Sequence, residues 1–318
     1  MAQPAPSIGA YSAVEALMRE ELAMADRAMA SNAPILRHLL RNDDNSIFSD
    51  EIVARVRGMF DDVARQLVMA LADAAGHADP QAWAHRATGE LSTLLAENGA
   101  FLAHFHAVAL EWQLTGRLLE RLGVDPVLSP LVQSRIAHPD ADVSATAMGL
   151  LAAQARFGQA QRRMQMPLGE LPGDLLHIAL VTMRTFVGAD GGGDGYALVA
   201  ERTLRARFDE ERGRLGLLRR VLRAMDGQVT QALQLEQAGV ALFLSALALG
   251  SGQSRDAAIM ATTDAQLARL ALSLAACGLR GDAVVTQFLA IHPDVTVPEA
   301  LTTLDAASAV AILAESGQ

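Results

Sequence analysis

The 318-residue sequence has no lysine: all 26 of its basic residues are arginine. That excludes a Schiff-base amine and a P-loop, each built around a lysine. Only one cysteine is present, Cys277, so an intrachain disulfide and a cysteine-based zinc site are excluded as well. Aromatic residues make up 4% of the chain. Alternating β-branched runs with turn punctuation are nearly absent, which leaves a sheet little to build on. The opening residues, MAQPAPSIGAYSAVEALMREE, lack a basic segment followed by an apolar one, so no secretory signal is expected. Met1-Ala2 does not fit the myristoylation pattern. The apolar run Ala238 to Leu249 is about a dozen residues long, where a membrane span needs ~20. The expected compartment is the cytoplasm, with no membrane span.

What the chain does have is a large apolar share, 51%, mostly Ala, Leu, Val and Met. Small and unbranched apolar residues suit close helix–helix packing. The formal charge is −10, and a globally acidic chain is a poor nucleic-acid binder.

The clearest helical pattern runs from Leu235 to Leu279. Val240, Phe243, Leu244, Leu247 and Ala248 form one stripe. Gly250-Ser251-Gly252 ends it. The helix resumes at Arg255, and Thr263 with Gln266 has the spacing of a capping box. Leu267, Leu270, Ala271 and Leu274 continue the stripe to Gly278, which suits the left-handed position of a Schellman ending. Cys277 reads as a small core residue there.

Elsewhere helix follows helix through short turns, which predicts antiparallel neighbours. A frayed tail over residues 1–10 precedes helices at 13–30 and 34–40, then a polar turn at 41–45. Ser49 is a plausible N-cap for a stripe through Ile52, Val56, Met59, Phe60, Val63 and Leu67. Asp79-Pro80 and Asp125-Pro126 each read as a cap followed by a first-turn proline. Phe101, Phe105, Val108 and Trp112 share a face, in a helix ending at Gly123 with Val124 reaching back to Leu119. The fold class is therefore all-α, with antiparallel hairpins stacked as an irregular HEAT-like or α-solenoid array in up to two subdomains. Gly188 to Gly195, GADGGGDG, is the strongest break. It divides the chain into a helical domain over 1–187, a linker over 188–195 and a second helical domain over 196–318. The echo of Ile136-Ala137-His138-Pro139-Asp140 in Ala290-Ile291-His292-Pro293-Asp294 fits a loose repeat.

Each chemical motif has a plainer reading. The glycine stretch lacks the lysine and oxygen frame of a phosphate or calcium loop, and reads as a linker. His104 and His106 lie two apart, so they diverge on a helix. No Glu-x-x-His or His-Glu-x-x-His occurs, and neither a metal nor a cofactor is called for. The two HPD tripeptides match the J-domain turn, but without the lysine-rich helix that precedes it there; a proline beside an Asp cap accounts for them. Gly250-Ser251-Gly252 is out of register for a hydrolase elbow. His38 is a candidate phospho-acceptor, although the usual acidic neighbour is missing; an ordinary surface histidine is the alternative.

Arg202, Arg205, Arg207, Arg212, Arg214, Arg219, Arg220 and Arg223 form the most distinctive polar feature, read as an Arg-rich helix. Interspersed carboxylates allow a solvated, ion-paired helix. The functional reading is a face for an acidic protein partner, with Arg202, Arg205, Arg212, Arg219, Arg220 and Arg223 as its candidate contacts.

Three segments carry a family likeness: 48–59, 151–157 through Leu171-Pro172, and 241–248 through Ala276-Cys277-Gly278-Leu279. In these the chain resembles an alphaproteobacterial family of unknown function with HEAT-like helices. The resemblance implies a helical-repeat architecture and brings no catalytic residues. The function expected is a non-catalytic scaffold or regulatory adaptor that binds another protein. The alternatives are a small-molecule or lipid-binding helical protein and a degenerate histidine phosphotransfer bundle using His38. A homo-oligomer is left open.

Overall fold

The computed structural model describes residues 8–41, 50–188, 194–225, 229–295 and 304–315. Among these residues the chain is all-α, with fourteen α-helices and no strand. None of the described helices is long and apolar enough to cross a membrane. Of the polar turn expected at 41–45, Arg41 ends the first helix and 42–45 lie outside the described residues, as do the Ser49 cap and residues 189–193 of the glycine stretch.

The helices are α1 (Ile8–Arg41), α2 (Asp50–Ala75), α3 (Pro80–Ala96), α4 (Gly99–Leu122), α5 (Pro130–Ile136), α6 (Ala141–Arg162) and α7 (Gly173–Gly188). They continue as α8 (Asp194–Arg207), α9 (Arg214–Arg223), α10 (Leu235–Ser251), α11 (Arg255–Met260), α12 (Leu267–Ala276), α13 (Asp282–Ile291) and α14 (Ala306–Glu315). They form two compact units that do not follow chain order. The first comprises Met1–Asn32, Leu110–Ser144 and Val221–Gln318; the second comprises Ala33–Ala109 and Ala145–Arg220. A division at 188–195 separates α7 from α8, yet both helices belong to the second unit and pack on each other. Leu180, Met183 and Val187 on α7, and Ala197 and Ala200 on α8, are all buried. The glycine stretch thus links two packed helices of one unit.

In the second unit α2 is the central helix. Asp50 and Glu51 favour its N-terminus through the helix dipole. Its predicted stripe is buried throughout, from Ile52 to Leu71. Fully burying each such side chain stabilises the fold by about 1.5–3 kcal/mol. α2 packs on α3, α7 and α8. Asp79 caps α3 as expected, its Oδ1 accepting from the Ala82 N–H at 3.0 Å. Phe60 meets Phe105 edge-on, with ring centroids 4.7 Å apart, and Phe101 completes the cluster.

Polar side chains of α2 also hold the loop after α6. Asp62 accepts from the Met166 N–H at 3.1 Å, and Gln66 bonds both the Met166 carbonyl and the Leu168 N–H. These bonds satisfy backbone groups that the loop cannot pair internally. Met164 takes a positive φ of 55° in this loop, and the missing side chain of Gly58 leaves room for it. Burial pushes the Asp62 carboxyl above its ordinary range, against the lowering effect of Arg65.

The first unit is built on the 235–279 region. α10 is buried all round: Leu242, Ser245 and Ala246 join the predicted stripe. It packs on α5, α11 and α12, and α12 packs on α13 and α14. A helix buried on every side is hydrophobic on every side, which explains the long apolar run without a membrane. The Schellman ending of α12 is present. Gly278 has φ 85°, its N–H bonds the Ala275 carbonyl at 2.9 Å, and Leu279 N–H bonds that of Leu274 at 3.3 Å.

Several local expectations fail for identifiable reasons. The capping box does not form: Thr263 makes no cap bond, and Gln266 donates to the Ala25 carbonyl at 2.6 Å while accepting from Arg269 at 3.1 Å. Asp125 accepts from the Val127 and Leu128 N–H groups at 2.7 Å, as a cap would, but these bonds close a local turn and no helix follows Pro126. The helix begins later, at Ser129 and Pro130, with the same cap-and-proline chemistry. After α4, by contrast, Gly123 takes the left-handed φ of 68° expected at the helix end and its N–H bonds the Leu119 carbonyl at 3.0 Å, while Val124 N–H bonds that of Leu118 at 3.3 Å. The two helices expected at 13–30 and 34–40 are one helix, α1, which starts at Ile8 and contains Pro34. Proline removes one backbone bond from the ladder; Leu36 and Leu39 beyond it are buried and hold the continuation.

Candidate functional site

The arginines of 202–223 do not lie on one helix. They fall on α8, on α9 and, for Arg212, on the 3-10 turn at Glu210–Arg212 between them. Asp209 fixes that turn by accepting from the N–H groups of Glu211 and Arg212 at 3.1 and 3.3 Å. The turn sends the arginines into different surroundings.

On α8, Arg202 and Arg205 are exposed. Arg205 pairs with Glu201 at 2.9 Å and reaches His177 Nδ1 on α7 at 3.0 Å. Arg184 on α7 pairs with the same Glu201 at 3.3 Å. Arg202 Nε donates to the Leu198 carbonyl of its own helix at 3.3 Å. Val181, Leu198 and Val199 are exposed apolar residues of this same hairpin. Basic and apolar side chains therefore share the outer surface of α7 and α8. Val181, Arg184 and His177 carry no motif, and only their positions off the buried stripe of α7 mark them as surface residues in the sequence.

On α9, Leu217 and Leu218 are buried and turn Arg219 and Arg220 outward. Arg219 reaches Glu210 at 3.2 Å and Glu211 at 3.4 Å. Arg220 donates to Thr146 Oγ1 on α6 at 3.1 Å. Arg207, at the end of α8, and Arg212, in the 3-10 turn, are exposed as well. Arg214 is withdrawn from the set: it is buried, its guanidinium lies 3.6 Å over the Phe157 ring, and Glu170 is 3.8 Å away. Arg223 is exposed but belongs to the first unit.

The Glu210–Arg212 turn is seated on α9 through Gly216. A Cβ there would lie 2.6 Å from the Glu211 Cα, against backbone rather than a movable side chain. Gly216→Ala is therefore expected to destabilise the protein by about 1–3 kcal/mol, as overpacking does. Chemical denaturation measures this; an unchanged midpoint would show that the turn moves freely.

The remaining motifs fall apart spatially or serve the fold. His38 is exposed on the second-unit part of α1. His104 and His106 are both buried on α4. Burial pushes the His106 imidazole down to about 4. No group of three or more His, Cys, Asp or Glu able to hold a metal occurs among the described residues.

The two HPD tripeptides play different parts. Asp140 caps α6, accepting from the Asp142 N–H at 2.8 Å. His292 ends α13; it is buried, with Nδ1 3.1 Å from Asp264. Cys277 sits at the end of α12 with Sγ 3.5 Å from the Leu247 carbonyl oxygen. Burial pushes its thiol up to about 12, so the nucleophilic thiolate is scarce near neutral pH.

Two buried polar assemblies of the first unit were invisible in sequence. Arg255 meets Glu111 in a fork, Nη1–Oε2 2.8 Å and Nη2–Oε1 2.6 Å, and its Nε donates to Ser245 Oγ at 3.1 Å. Arg269 bonds Gln266, Gln253 and Asp26, tying α12 to α1. Every partner here lies within the unit, and the arrangement is that of a satisfied core network. Comparison with known proteins adds nothing to these roles: no family model, no curated protein and no solved structure matches the chain.

Proposed function

We propose that this protein is a non-catalytic helical adaptor that binds an acidic protein partner through the arginines of α8, α9 and the turn between them. One observation carries the reading. Arg202, Arg205, Arg207, Arg212, Arg219 and Arg220 are all exposed within one unit of a chain whose net charge is −10. The ion pairs of Arg219 are weak restraints. The Arg219 side chain is 46% exposed, and its partners Glu210 and Glu211 are 38% and 57% exposed. Such surface pairs contribute about 0–1 kcal/mol, so exchanging them for a partner's carboxylates costs little. Arginine also offers a planar fork that fits carboxylates in pairs. Val181, Leu198 and Val199 supply the apolar contact that charged groups alone do not.

The test is site-specific photo-crosslinking in cells from a probe placed at Leu198. The expected result is one discrete adduct with an acidic protein. It should disappear when Arg202, Arg205, Arg219 and Arg220 are changed to Glu, and weaken steeply with salt during capture. No adduct, or an adduct indifferent to charge reversal, overturns the proposal.

A further inference from the structure

We infer that the second unit carries a separate binding site for a small zwitterionic acid of amino-acid size, in the cavity between the end of α1, α2 and α3. The cavity has a volume of about 180 Å³ and is lined by Arg37, Arg57, Phe60, Asp61, Gly89 and Ser92 among others. Drug-sized ligands occupy roughly 300–1,000 Å³, so the occupant here is much smaller.

The lining places both signs of charge in one small space. Arg37 donates from Nη2 to the Glu97 carbonyl at 3.1 Å, which anchors its guanidinium at the end of α3. Its Nε is closed off from solvent and has no acceptor. A buried donor without an acceptor is unfavourable, and an incoming carboxylate supplies one after a small turn of the guanidinium. Arg57 lines the same cavity from α2. Asp61 stands on α2 with its Oδ1 accepting from Ser92 Oγ at 2.7 Å, a bond that orients the carboxylate to receive an ammonium group. Phe60 gives the cavity an apolar floor for a short side chain. A phosphate dianion fits this lining poorly, because it would stand beside the Asp61 carboxylate.

Gly89 points the same way independently. It lies inside α3, where glycine is the least favourable residue after proline. A Cβ built there meets nothing within 4 Å, so packing does not require glycine. Its missing side chain leaves the cavity mouth open.

Calorimetric titration of the full chain with individual L-amino acids, their carboxamides and inorganic phosphate tests the site. The expected result is that one or a few small amino acids bind with a Kd between about 1 μM and 1 mM. The matching carboxamide, Arg37→Gln and Asp61→Asn should each weaken binding about tenfold or more. Gly89→Leu should abolish binding while the melting temperature holds or rises, since leucine favours the helix over glycine; it keeps the test decisive if Arg37→Gln disturbs the fold. Absence of amino-acid binding, equally tight phosphate binding, or binding that survives both Arg37→Gln and Gly89→Leu overturns the inference.

Discussion

Glu111→Ala is expected to destabilise the protein by about 3–5 kcal/mol, the usual effect of removing one partner from a buried ion pair. The Glu111 side chain is 2% exposed and that of Arg255 16%. Burial opposes the Arg255 charge, and the Glu111 carboxylate more than offsets it, holding the guanidinium above its ordinary range. Without Glu111 the arginine stays charged in a place where water does not replace the lost carboxylate. The pair as a whole is worth much less than this loss, because both charges had to leave water to form it. Glu111→Leu combined with Arg255→Met should therefore recover most of the stability. Urea unfolding of the wild type, the single variant and the double variant measures both effects. A loss below about 1 kcal/mol for Glu111→Ala would mean that solvent reaches the pair.

Acid should weaken the fold through His106. Burial lowers this imidazole from its ordinary 6.5 to about 4. A depressed histidine binds its proton more readily in the unfolded chain than in the folded one. Stability therefore rises with pH across that window and is lost as pH falls from 6.5 towards 4. At 1.36 kcal/mol per pH unit, the full loss is about 3 kcal/mol. His292 acts in the same direction: burial lowers it first, Asp264 opposes, and Arg117 and Arg121 reinforce the lowering. Asp62, raised by burial, acts with the opposite sign.

His106→Leu isolates the one residue, since His292 and Asp62 remain in both proteins. The stability difference between wild type and variant should shift by about 3 kcal/mol in the variant's favour between pH 7 and pH 4. Parallel stability–pH curves would place the His106 ring in contact with water.

Elements whose causes are local were legible in the sequence. A 3.6-residue apolar period reached α2 and α10, and buried residues such as Val56, Phe243 and Leu247 stand where it put them. Asp79-Pro80 and Gly278 marked helix ends correctly, because a cap involves residues only a few positions apart. The exposed arginines of α8 and α9 were legible as charge, though not as two helices around an inward-turned Arg214.

Tertiary structure alone decided everything that depends on distant partners. Thr263 and Gln266 had the right spacing for a capping box, yet Gln266 turned to Ala25 some 241 positions away. Glu111 and Arg255 are separated by 144 positions, and no periodicity connects them. The cavity beside Arg37 needs the end of α1 brought against α2 and α3, and the two compact units cut across chain order. The physical reason is common to these cases. A local signal is a competition among nearby groups for nearby hydrogen bonds. Burial removes water as the alternative partner, so a polar group then takes whichever distant partner packing supplies.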